Sequence, residues 1–150
     1  MKPFIPLLLL ASIMSATAQA DMTVGIILST TGPGASLGIP ERNTVTLLPK
    51  EIAGQAVKYI VLDDASDSTA AAKNARKLVS ENKVDLLIGS TTVPTSAAVA
   101  QIAKESRTAQ ITLAPYSPAN GDHQWIFTIA QTNTLMAQAL IEHMQKTGIK

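Results

Sequence analysis

Cysteine is missing from this chain altogether. No disulfide framework is available, and no thiol can serve as a nucleophile or carry an N-terminal lipid anchor. Histidine is nearly as scarce, with His123 and His143 far apart in the sequence. That leaves little from which to build a transition-metal site, and neither a metal nor a cofactor is expected. His143 falls at the end of a helical pattern, where a cation meets the negative end of the helix dipole. A surplus of charge is missing too: twelve Lys and Arg stand against eleven Asp and Glu. Near-neutrality argues against a nucleic-acid surface or a polybasic membrane patch, so no nucleic acid is expected as a partner. The glycines of GPGASLG lack the spacing of a phosphate cradle, and no Lys follows them.

The one long apolar run lies at the start. Lys2 gives a positive beginning, Phe4 to Met14 is apolar, and Ala18-Gln19-Ala20 has the small-x-small form of a cleavage site. The run is too short and wrongly flanked for a spanning helix. Residues 1–20 are therefore expected to be a signal peptide, cleaved after Ala20, and residues 21–150 the exported, periplasmic domain. Without Lys2 the remaining eleven basic residues balance the eleven acidic ones. An exported domain without disulfides must rely on its apolar core.

The most informative stretch of that domain runs from Val84 to Glu105. Val84 to Ile88 has the length and composition of a buried strand, Gly89 ends it, and Ser90, Thr91, Thr92, Thr95 and Ser96 follow. Ala97 to Ala103 then read as an Ala-rich helix, with Thr92 as its N-cap and Pro94 in its first turn. A strand thus delivers a hydroxyl-rich loop onto a helix N-terminus. The loop reads either as ordinary capping or as a seat for a carboxylate or phosphate, where free N–H groups and the helix dipole converge.

The same grammar recurs along the chain. Met22 to Leu28 is a strand, followed by a Gly/Pro/Ser/Thr loop from Ser29 to Gly38 and a helix expected from about Pro40 to Pro49, with Glu41 in its first turn. Val57 to Leu62 is a strand ending at Asp63-Asp64, and Ser66 or Asp67 caps a helix bearing Ala71, Ala75, Leu78 and Val79. Gln110 to Ala114 and Trp125 to Ile129 are further strands. A last helix carries Leu135, Met136, Ala139, Leu140, His143 and Met144 on its periodic positions and stops at Gly148. Ile149-Lys150 looks like the start of another strand. The alternation predicts an α/β fold: a doubly wound, mostly parallel sheet with helices on both faces. Ligands in such sheets bind beyond the carboxyl ends of the strands. The polar loops all follow strand ends, which places Leu37, Thr91, Thr92, Val93, Thr95, Ala114, Pro115, Tyr116 and Gln131 on one rim as candidate ligand-binding residues. Asp63-Asp64 is the carboxylate pair available for acid/base work or Mg²⁺, and it equally suits capping or solvation in the turn. With no His or Cys at a strand end, binding is the stronger reading and no enzymatic activity is expected.

The segments STTGPGASLGIPERN, YIVLDDASD, KNARKLVSENKVDLLIGSTT and WIFTIAQTN together resemble the first lobe of periplasmic binding proteins of type I, the leucine/isoleucine/valine-binding class that serves ABC importers. The resemblance runs from about Thr23 to Lys150. It implies a clamshell of two lobes, of which this chain carries the first and is truncated before the second. It also implies a small carboxylate or amino-acid-like ligand (branched-chain amino acid, aromatic acid or amide) and an ABC permease of the inner membrane as partner. The same fold in a ligand-sensing domain of a receptor or regulator is the alternative. Position by position, the family's carboxylate-binding serine, four residues after the strand-ending glycine, falls on Val93, with Thr92 or Thr95 at hand for the hydroxyl. The carbonyl contact to an α-ammonium falls on Ala114, the usual threonine beside it is Tyr116, and the first-loop aromatic position is Leu37. These departures lean away from a plain amino acid and toward other carboxylates, amides or urea. A lobe cut from its partner is expected to bind weakly and to leave apolar faces uncovered.

Overall fold

A computed structural model describes residues 21–118 and 124–149. The expected signal peptide, His123, the turn at Asn120-Gly121-Asp122 and Lys150 lie outside the described residues. Six strands and four helices run in the order β1 (Met22–Leu28), α1 (Ala35–Val45), β2 (Glu51–Ile52), β3 (Gln55–Asp63), α2 (Ser68–Ser80), β4 (Leu86–Gly89), α3 (Val93–Ser106), β5 (Ala109–Thr112), β6 (Ile126–Thr128) and α4 (Asn133–Thr147).

The strands form one sheet in the order β2-β3-β1-β4-β5-β6. Every pairing is parallel except the β2–β3 hairpin at one edge. The chain starts in the middle, winds outward to β3, then crosses back over β1 to β4 and continues to β6. Strand order therefore reverses between β1 and β4, and the crevice of a doubly wound sheet opens beyond their carboxyl ends. The α/β, mostly parallel architecture expected from the sequence is the one observed.

β1 is buried on both faces, as a central parallel strand must be. Ile27 points to the face covered by α2 and α3, where it meets Ala71, Ala75, Leu78, Leu87, Val99 and Ala103. Val24, Ile26 and Leu28 point to the opposite face, joined by Val57 and by Val45 and Leu48 from α1 and the segment after it.

Four expectations need correction. α1 begins at Ala35 rather than near Pro40, so Pro40 lies inside the helix and Glu41 beyond its first turn. The early start is set by tertiary contacts: the Gly34 N–H donates to Ser66 Oγ at 2.8 Å. Gly38 also lies so close to β1 that a Cβ there would stand 2.1 Å from the Ser29 carbonyl oxygen. Second, β3 is preceded by a short antiparallel partner, β2, through the two-residue turn Ala53-Gly54, both with positive φ. Third, the strands at β5 and β6 are shorter than expected, because Leu113 and Ala114 already belong to the loop and Trp125 and Ile129 flank the ladder. Ile149 donates to the Met144 carbonyl and closes α4 rather than opening a strand. Gly148 ends the helix in the left-handed region, as expected.

Candidate ligand-binding rim

The rim is held together by an acid that the sequence offered for catalysis or capping. Asp64, fully buried, accepts from Ser29 Oγ at 2.7 Å, Ser90 Oγ at 2.5 Å and the Ser66 N–H at 2.9 Å. Its own N–H donates to the Leu28 carbonyl. One carboxylate thus ties the ends of β1, β3 and β4. Asp63 does the same for the β1–α1 loop, accepting from the N–H groups of Thr30, Thr31 and Ala65 and from Thr31 Oγ1. Burial pushes the Asp63 carboxyl up, but the Thr31 hydroxyl and the three backbone donors outweigh it and hold it below its ordinary value. Both carboxylates are engaged by protein donors, and no metal-binding group of acids or histidines occurs among the described residues. Asp67 caps α2, accepting from the Ala70 N–H.

Glu41 adds a second brace. Its Oε2 accepts from Thr91 Oγ1 at 2.5 Å, and Thr91 Oγ1 accepts in turn from the Ser29 N–H. Partial burial pushes the Glu41 carboxyl up, the Thr91 hydroxyl pulls it down, and the Asp64 charge pushes it up again. The net result lies above its ordinary value.

Against this frame the candidate residues separate. Thr91 is buried and turned toward Glu41. Thr92 and Thr95 spend their hydroxyls on a capping box at the start of α3, as the sequence pattern indicates. The Ala114 carbonyl already accepts from Thr112 Oγ1 and from the Tyr116 N–H. Leu37 stands exposed on α1, and Gln131 is exposed just before α4. Val93, Pro115 and Tyr116 are brought together, on the wall of an open pocket of about 660 Å³ completed by Ser117, Thr128 and Thr132 to Thr134. That second group was not expected from the sequence. The signal present there was the Thr132-Asn133 start of α4, but nothing local says that this helix begins beside α3.

The wall of this pocket carries no charged side chain. What it carries is two helix starts. Val93 is the first residue of α3, while Thr132 caps α4, whose first turn holds Asn133 and Thr134. Thr95 and Leu135 N–H groups are taken by the caps. Among the described residues the N–H groups of Val93, Asn133 and Thr134 donate to no acceptor. Unspent donors and two positive dipole ends on one uncharged wall suit an anion. Tyr116 lines the same wall while also packing against the apolar core beside α3, and its loop is tied to β6 by Thr128 Oγ1 donating to the Tyr116 carbonyl.

One string superficially resembles a nucleophile elbow, Gly34-Ala35-Ser36-Leu37-Gly38. Ser36 lies in the first turn of α1, and its hydroxyl has no partner acid or base among the described residues. It lacks the hydrogen-bonded base that such chemistry requires.

Comparison with known proteins identifies the family and the fold. The periplasmic binding protein family model matches residues 21–150. The chain belongs to the periplasmic binding protein family. Two solved extracellular ligand-binding receptors from Rhodopseudomonas palustris HaA2 are 44% and 46% identical to it, with TM-scores of 0.84 and 0.81. Each comparison covers 87% of this chain and 37% of the receptor, so the chain spans little more than a third of their length. The fold is also that of a leucine-binding protein from Thermotoga maritima, at TM-score 0.74 and 21% identity over 84% of this chain and 37% of that one. It is shared by a solute-binding protein of an ABC transporter from Rhodopseudomonas palustris BisB5, solved with 3,4-dihydroxybenzoic acid. That match has TM-score 0.78 and 24% identity, again over 87% of this chain and 37% of the other. No curated protein matched. The fold is thus that of the first lobe of a type I clamshell, and the family is one of ligand-binding proteins.

Proposed function

We propose that the chain is the first lobe of an exported solute-binding protein of an ABC importer, and that its rim grips the carboxylate of a small solute. The observation that carries this reading is the uncharged pocket wall on which α3 and α4 both begin with unpaired N–H groups. A carboxylate there replaces water on Val93, Asn133 and Thr134, while Tyr116 offers a ring and a phenol to the body of the ligand. Amino acids, aromatic acids and related carboxylates all present that group. A protein of the same fold was solved with 3,4-dihydroxybenzoic acid, which supports including aromatic carboxylates among them. Export follows the proposed cleavage after Ala20, and the permease is the partner of the complete two-lobed protein. A sensing domain would use the same rim; a gene continuing into a membrane span instead of a second exported lobe would assign that role.

Val93→Pro tests the reading with little disturbance. Proline is tolerated at the first helical position, Thr92 already has the extended backbone that a following proline requires, and the N–H is deleted while the valine side chain gives way to a ring of similar bulk, so Val93→Ala serves as the side-chain control. Hydrogen bonds to a charged group contribute roughly 1.5–3 kcal/mol, so affinity should fall about tenfold to a hundredfold. Calorimetric titration with 3,4-dihydroxybenzoate, isoleucine and benzamide checks it. Unchanged affinity in Val93→Pro, or tighter binding of the amide than of either acid, refutes the carboxylate seat.

A further inference from the structure

Among the described residues Gln110, on β5, is the largest polar side chain that is fully buried. A carboxamide is costly in such a place unless its groups are paired, and Oε1 has no partner within the described protein. A methionine would fill the same space without that cost. What the glutamine adds is its donors. Nε2 donates to the Gly89 carbonyl at 2.6 Å and to the Ser96 carbonyl at 3.3 Å.

These two carbonyls bracket the loop that presents Val93. The β4–β5 ladder ends at Ile88, opposite Ile111. Gly89, one residue further, has no side chain to anchor it and lies against β1, where a Cβ would stand 2.0 Å from the Ile27 carbonyl oxygen. Its place is set by what holds its backbone. At the other end of the loop, Ser96 Oγ donates to the Ser90 carbonyl at 2.8 Å. The base of the segment from Gly89 to Ser96 is thus closed twice, and Val93 stands near its middle. Gln110 itself belongs to the strand that leads into Pro115 and Tyr116, which share the pocket wall with Val93. One side chain joins the two segments that meet at the pocket.

We propose that Gln110 is a positioning residue for ligand capture: its carboxamide holds the β4–α3 loop to β5, so that the Val93 N–H and Tyr116 meet a solute as one preorganised wall. The role rests on reading Val93 as a carboxylate donor. It depends on interior contacts alone and on no exposed face. Gln110 does not touch the ligand. Without its two donors the loop must be ordered on binding, and that ordering weakens affinity.

Gln110→Met keeps length and bulk and removes both donors. Calorimetric titration of the full chain with 3,4-dihydroxybenzoate should show affinity lower by roughly threefold to thirtyfold. Val57→Ala, in the core on the opposite face of the sheet, is the control: it should lower Tm and leave affinity unchanged. The deciding measurement is the double variant, in which Gln110→Met should cost markedly less once Val93→Pro has removed the N–H. In the ligand-free chain, relaxation-dispersion NMR of Gln110→Met should show new millisecond exchange at Thr91, Thr92 and Tyr116, with the amides of α2 quiet. Should Gln110→Met fail to fold, Ser96→Ala opens the second closure of the same loop and carries the same measurements, with a smaller loss expected. An equal loss in the parent and Val93→Pro backgrounds overturns the positioning role. So does unchanged affinity in Gln110→Met while Val93→Pro binds weakly, which leaves the carboxylate seat standing. If Val93→Pro binds as tightly as the parent, the seat falls and the positioning role with it. Quiet loop amides in Gln110→Met overturn the role whether or not a titrant binds.

Discussion

Replacing Asp64 tests whether the rim is a built frame or a set of neighbouring loops. Asp64→Ala removes the acceptor of two hydroxyls, Ser29 and Ser90, both fully buried, and of the half-buried Ser66 N–H. A buried donor left without an acceptor costs roughly 1–3 kcal/mol. Two such donors plus a partly solvated third give about 3–6 kcal/mol, reduced by whatever the site regains from no longer burying a carboxylate. For a domain of this size each kcal/mol lowers Tm by roughly 3–5 °C, so Asp64→Ala should melt about 10–20 °C below the parent. Asp64→Asn keeps one oxygen acceptor and should lose less, about 1–2 kcal/mol, because a serine hydroxyl can turn to accept from the new amide. Thermal melts followed by circular dichroism give both numbers. A double-mutant cycle with Ser29→Ala should show coupling of at least about 0.5 kcal/mol between the β1 and β3 ends. If Asp64→Asn melts at or above the parent temperature, the carboxylate is a net burden and the frame lies elsewhere.

Gly38→Ala places a Cβ 2.1 Å from the Ser29 carbonyl oxygen, a contact only a backbone shift relieves, so it should cost about 2–3 kcal/mol in chemical unfolding. For Glu41, the raised carboxyl contributes stability below its ordinary value of 4.5 that is lost as pH rises through the folded value. Glu41→Gln, which can still accept from Thr91, should therefore raise Tm at pH 7 and abolish the gain that the parent shows on acidification to about pH 5. Asp63 runs the other way: its lowered carboxyl contributes stability above 3.8 that is lost as pH falls through the folded value, so a Tm–pH profile of Glu41→Gln should retain that acid limb.

Much of the fold was legible because its signals are local. Thr92 before Val93-Pro94, Ser66-Asp67 before an amphipathic run and Gly148 after one each mark a helix end by local chemistry; Thr92 and Gly148 stand where the pattern puts them, and of the two caps it allowed for α2 the structure uses Asp67. The misses are places where distant residues decide. Gly34-Ala35-Ser36 reads as loop until Ser66, 32 residues on, accepts the Gly34 N–H and Gly38 nests on Ser29. The β2–β3 hairpin hides behind Ala-Gly, which lacks the usual Asn-Gly signature, and behind a strand of two residues. The site divides in the same way. Pro115 and Tyr116 lie in a loop that follows a strand end and Val93 is reached through the family resemblance, and the structure sets all three on one pocket wall. Thr128 and Thr132 to Thr134 reach the pocket only because β6 pairs with β5 and sends α4 off beside the start of α3.

That division carries a physical meaning for the rim. Asp63, Asp64, Thr91, Thr92 and Thr95 are polar residues at strand ends, the first a reader would assign to a ligand, and each is already bonded within the protein. A group that satisfies its neighbours is fixed in place, and a fixed neighbour is what keeps an unsatisfied N–H aimed outward. The donors left over, at Val93, Asn133 and Thr134, belong to backbone that no side-chain substitution in evolution can remove short of proline. Under the proposed reading, the seat takes its geometry from the frame behind it and its selectivity from what lies in front: Tyr116, Thr128 and a wall with no charge of its own. The same reading predicts a wall that discriminates ligands by shape and ring chemistry more than by formal charge beyond one carboxylate, since a second ionised group placed against it would lose water without gaining a counter-ion.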